Sequence, residues 1–163
     1  MNQTKTRFNV LHSTFLVTLI LLVIQYVFGM LVNLFVQFPN SLPAGNAWGW
    51  SFTHTFVIPL HIVIGTLLIV VALVALVMSI RTRHVPEILA AVFGLAMIVY
   101  AWLSGASFLA NGQQNTASLQ MALGFIGAVI AYGVGLYIAA HRSGKNTTQE
   151  VSVRECETPL TVR

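Results

Sequence analysis

The chain has no aspartate, a single cysteine, and no charged side chain anywhere in residues 8–80 or 88–141. Without carboxylates in its apolar stretches it cannot carry the midplane acidic relay that proton and cation pumps use. One cysteine, Cys156, permits neither an intrachain disulfide nor a cysteine-based metal cluster. No glycine-rich loop follows a strand-like run, and no Ser, His and acid set is spaced for nucleophilic catalysis. Nucleotide-dependent and hydrolytic enzymes are therefore disfavoured.

What fills the uncharged stretches is apolar. Of 163 residues, 56% are hydrophobic and 7% charged, and four long runs, 10–38, 56–80, 88–110 and 117–140, can each cross a hydrocarbon core of about 30 Å as a helix. The expected fold is all-α, a four-transmembrane-helix bundle in one domain (1–141). A soluble bundle would need charged outer faces on its helices, and these have none. The net charge of +4 does not point to nucleic acid, because the basic residues stand in ones and twos beside apolar runs. The partner they imply is the lipid bilayer. The first run is too long for a signal-peptide core of about 7–15 residues, so it is expected to remain as a helix.

The charges also orient the bundle. Lys5 and Arg7 precede the first run, Arg81 and Arg83 separate the second from the third, and Arg142 and Lys145 follow the fourth. The alternate loops, 39–55 and 111–116, contain no Lys or Arg. The positive-inside rule then puts both termini in the cytoplasm and the uncharged loops outside, in a multi-pass cell-membrane protein. Residues 142–163 are polar and lack apolar periodicity, which predicts a disordered tail. Its Asn146-Thr147-Thr148 sequon would be cytoplasmic and hence unused. The 39–55 loop mixes Pro39, Pro43, Gly45 and Gly49 with Trp48 and Trp50, a composition expected to lie across the headgroup region. Pro59 predicts that the second helix either begins near it or bends there.

A weak internal repeat runs through the chain. Leu60-His61-Ile62-Val63-Ile64-Gly65 corresponds to Leu119-Gln120-Met121-Ala122-Leu123-Gly124, and Gln25-x3-Gly29 to Ala101-x3-Gly105. Two pseudo-repeated helix hairpins related by an axis along the membrane normal would give this pattern. In lipid, small and polar residues mark the packed faces. Those faces are expected to hold the stripe Gln25, Gly29, Asn33 and Gln37 in the first helix and Ala101, Ser104, Gly105 and Ser107 in the third. The fourth supplies Gly124, Ala128, Ala131 and Gly135. Gln25, Asn33 and Ser104 are the expected buried polar residues.

Five histidines are present, and His12, His84 and His141 fall at cytoplasmic ends. His54 and His61, seven residues apart, would share a face if their helix ran unbroken through Pro59. Only His61 is ionisable and inside the hydrocarbon, which makes it the leading functional residue. Counting from the outer ends places it level with Met30, Asn33, Ser104, Gly105, Gln120 and Met121. Imidazole and thioether form an axial pair for haem iron, and Gly29, Gly65, Gly105 and Gly124 would make room for a porphyrin. The expected cofactor is therefore haem b, with His61 its metal ligand and Met121, Gln120, Met30 or His54 as the second. Two histidines alone would be an incomplete copper or zinc site, which needs Met30 or Met121 to favour Cu(I).

Gln25-x3-Gly29, a proline-containing outer loop and then His61 early in the next helix resemble one four-helix half of the haem A synthase type of membrane protein. That resemblance implies a haem gripped by residues of the even helices, with Gln120 or Met121 where the family has its second histidine. No Glu or Arg stands beside His61, the first outer loop has no cysteine pair, and one half is present, so haem A synthesis is not implied. The functional expectation is a haem-binding membrane protein with a redox or haem-handling role. The alternative is a non-catalytic membrane subunit or assembly factor without cofactor, whose polar stripe docks a membrane-protein partner or a second copy. The lone cysteine tests the orientation without mutagenesis: a membrane-impermeant maleimide is expected to label Cys156 only after permeabilisation. Labelling in intact cells would invert the topology.

Overall fold

The computed structural model describes the backbone of residues 2–39, 47–111 and 114–157, and side chains within 10–39, 47–111 and 114–142. Five helices form: α1 (Asn2–Phe35), α2 (Ala47–His54), α3 (Val57–Thr82), α4 (Val85–Ala110) and α5 (Asn115–Glu157). Among the described residues there is no strand. Four segments, Val10–Phe35, Val57–Thr82, Val85–Ala110 and Asn115–Arg142, are long and apolar enough to cross a membrane, with mean hydropathies of 2.6, 3.0, 2.0 and 2.0. The chain is thus an all-α, multi-pass bundle.

Helix boundaries follow local chemistry. α4 begins at Val85, three residues before the expected span, because Pro86 fits the first turn and Glu87 favours the positive N-terminal end. Pro59 likewise sits in the first turn of α3, where its missing N–H costs nothing, and the helix starts beside it rather than bending through it. Thr55 and Phe56 separate α2 from α3, so His54 and His61 do not share a helix face. The α3–α4 reversal takes two residues, with Arg83 at φ 57° and its N–H donating to the Ile80 carbonyl at 3.1 Å.

Two stretches are more helical than the sequence reading allowed. Part of the 39–55 loop is α2, whose Ala47 and Ser51 are buried four residues apart while Phe52 and His54 are exposed; Pro43 and Gly45 lie outside the described residues. The expected tail continues α5 to Glu157. Residues 146–157 contain neither proline nor glycine, and an established helix propagates more easily than it nucleates. The side chain of Cys156 is outside the described residues.

The long helices form a ring in which α1 and α4 are each flanked by α3 and α5, leaving α1–α4 and α3–α5 as diagonals. The closest seam is α4–α5. A Cβ built at Gly124 would stand 2.9 Å from the Met97 carbonyl oxygen and 2.8 Å from the Ala101 Cβ. One at Gly94 would stand 2.8 Å from Cζ of Tyr132. The Gly135 position faces Phe15 and Ala90 at 3.0 and 3.2 Å, which ties α1 into the same layer. Phe15 and Tyr132 meet edge to face, ring centroids 5.8 Å apart, and both are fully buried.

The repeat is visible in these contacts. Gln25 packs on Gly65 in the first hairpin as Ala101 packs on Gly124 in the second, and His61 faces Gly29 as Met121 faces Gly105. In space Met121 stands against a glycine of the preceding helix as His61 does, although the register that pairs Gly65 with Gly124 pairs His61 with Gln120. At Gly124 the obstacle is backbone, which cannot swing aside. Gly124→Leu is expected to destabilise the bundle by about 1–3 kcal/mol through overpacking, read as a lower midpoint of unfolding in detergent. Gly133→Ala, with nothing within 4 Å, is expected to leave that midpoint unchanged or raise it.

Candidate functional site

A groove of about 340 Å³ opens in the half of the bundle nearest α2, lined by all four long helices and by Trp48 of α2. Beside it α4 and α5 touch at the backbone, and between α1 and α3 the Gln25 and His61 side chains rest on Gly65 and Gly29. Of the expected site residues, His61, Met121, Met30, Gln25 and Asn33 line it. Gln120 and His54 are exposed and do not. His54 instead stacks on Trp50 at an interplanar angle of 8°.

Gln25 and His61 are one unit. The Gln25 amide nitrogen lies 3.1 Å from the His61 carbonyl oxygen and 3.2 Å from imidazole Nε2. An amide nitrogen only donates, so Nε2 accepts and the ring proton resides on Nδ1. Nδ1 of His61 and Oε1 of Gln25 are then buried with no hydrogen-bond partner among the described residues. The site holds one spare donor beside one spare acceptor, each costing about 1–3 kcal/mol while unpaired.

The other expected buried amide, Asn33, is exposed at the groove mouth, because α1 turns it toward the seam with α5. Met30 is also 39% exposed there. Ser104 is buried but donates to the Tyr100 carbonyl of its own helix at 2.8 Å, so it gives nothing to Gln25. The four glycines expected to cradle a porphyrin have other tasks. Gly29, Gly65 and Gly105 receive His61, Gln25 and Met121, and Gly124 receives the α4 backbone. In this arrangement Gln25 occupies imidazole Nε2, so His61 would hold iron through that nitrogen only once the amide had swung away. Among the described residues no three His, Cys or carboxylate side chains cluster as a metal site.

Glu87, which falls between the second and third apolar runs, drew no role from the sequence. Its side chain is fully buried at the end of the bundle opposite α2. Thr82 donates to Oε2 at 2.8 Å, Arg142 of α5 reaches Oε1 at 3.5 Å, and His84 Nδ1 lies 3.7 Å from Oε1. One carboxylate thus joins the end of α3, the start of α4 and the far end of α5. The available signal was its place three residues past His84 in the first turn after Pro86.

No family model matches this sequence, and no curated protein or solved structure matches it either. The resemblance to haem A synthase-type proteins gains no support from these comparisons. Glu87→Ala is expected to cost about 1–3 kcal/mol by stranding its hydrogen-bond partners, measured by thermal unfolding in detergent, with the groove end unaffected. An unchanged midpoint would show that the carboxylate contributes nothing net.

Proposed function

We propose that this chain holds a planar lipophilic molecule in the groove, with His61 and Gln25 as its polar contacts, in a redox or cofactor-handling role. Both termini face the cytoplasm in this reading, which puts the groove in the outer half of the cell membrane. The observation that carries it is the placement of His61 and Met121. They face Gly29 and Gly105 respectively, project from the diagonal helices α3 and α5, and line one groove. Six aromatic side chains, Tyr26, Phe38, Trp48, Trp102, Phe108 and Phe125, share that lining and suit a flat ring system. The volume lies within the roughly 300–1,000 Å³ of small-molecule sites.

Haem b is the specific form of this proposal reached from the sequence. His61 and Met121 would hold it, and when bound it would supply one-electron chemistry. Gln25 would first have to release the imidazole, which its flexible side chain permits. A second reading, a non-catalytic subunit docking a partner helix or a second copy, draws support from the exposed amides Asn33, Gln37 and Gln120 near the same end of the bundle.

Purification in mild detergent separates the readings. A retained lipophile is expected in the organic extract or, for haem, as a Soret band, with either reduced at least tenfold by His61→Ala. A colourless protein whose extract matches that of an unrelated membrane protein would favour the docking reading.

A further inference from the structure

From the groove's electrostatics and its unpartnered atoms, we infer that its occupant is a neutral, membrane-dissolved quinone or quinol. This rests on the groove-binding reading above and names the ligand class. No charged residue lies between 8 and 80 or between 88 and 141, so nothing in the groove pairs with a carboxylate or phosphate, and burying such a charge unpaired is costly. A ligand with acidic substituents, haem included, would have to keep them outside. A quinone carries none.

The two enclosed orphan atoms give the head its chemistry. His61 Nδ1–H needs an acceptor and Gln25 Oε1 needs a donor. A quinone carbonyl satisfies the first, and a quinol hydroxyl, which both accepts and donates, satisfies the two together. Both atoms are buried, and the Gln25 amide sits at imidazole Nε2 and rests on Gly65. Rotation of the Gln25 and His61 side chains, which both line the groove, presents the pair to a ligand there.

The way in is from the lipid. Met30, Asn33 and Ala122 line the groove and are also exposed, so the groove reaches the surface along the α1–α5 seam. Tyr26 and Phe125, stacked with centroids 5.0 Å apart, close that seam below the opening. A ring head lodged at His61 would leave its isoprenoid chain running out through this slot among the acyl chains.

The test uses the full chain in lipid nanodiscs, with empty nanodiscs as the baseline. Equilibrium retention is measured for decyl-naphthoquinone, for decylnaphthalene, which has the same rings and no oxygen, and for haem b. The quinone is expected to bind saturably and at least tenfold more tightly than the hydrocarbon. Gln25→Leu and His61→Leu should bring that ratio near one, and Ala122→Phe, at the exposed mouth, should weaken quinone retention without touching the polar pair. Equal binding of quinone and hydrocarbon, or saturable binding of haem b alone, would overturn the quinone assignment and leave the groove-binding reading standing. Retention of none of the three would overturn both.

Discussion

The α4–α5 seam sets the geometry of everything else in the molecule. Lipid tails are as apolar as leucine, so these helices gain little by burying aliphatic surface, and their association depends on close van der Waals approach. Gly94, Gly124 and Gly135 supply that approach, with Tyr132, Met97 and Ala101 filling the opposite side. Phe15 of α1 inserts into the same layer. The half of the bundle near the α3–α4 turn is tight for this reason, and Glu87 joins three helices just beyond it.

The groove is the complement of that seam. In the second hairpin Ala101 meets Gly124 and the backbones touch. In the first, the larger Gln25 meets Gly65 at the equivalent place. The groove lies where His61 and Met121 look inward, and Gln25 sets its amide against the imidazole there.

Polar groups away from water must be paired, and the bundle meets that demand unequally. Ser51, Ser79 and Ser104 each bond back to the carbonyl four residues earlier. The buried Tyr132 hydroxyl, His61 Nδ1 and Gln25 Oε1 find no partner among the described residues. Tyr132 is locked between Phe15 and Gly94 in the tight half. The other two flank a space and belong to side chains that can move, which is why the chemistry of the molecule is sought there.

The distribution of charge alone determined the number of spans and the class of fold, because a run of uncharged apolar residues about 25 long has few stable settings other than a bilayer. The small-residue faces of α4 and α5 were legible for the same reason: glycine and alanine at four-residue spacing are useful chiefly where helices touch. His61 stood out as the one ionisable group at depth. Its bond to Gln25 was not legible, since it joins residues 36 positions apart on different helices. Nor were the exposure of Asn33, the break between His54 and His61, and the burial of Glu87. Each depends on how far a helix is rotated and which neighbour it meets, quantities that apolar sequence constrains weakly and that packing in three dimensions decides.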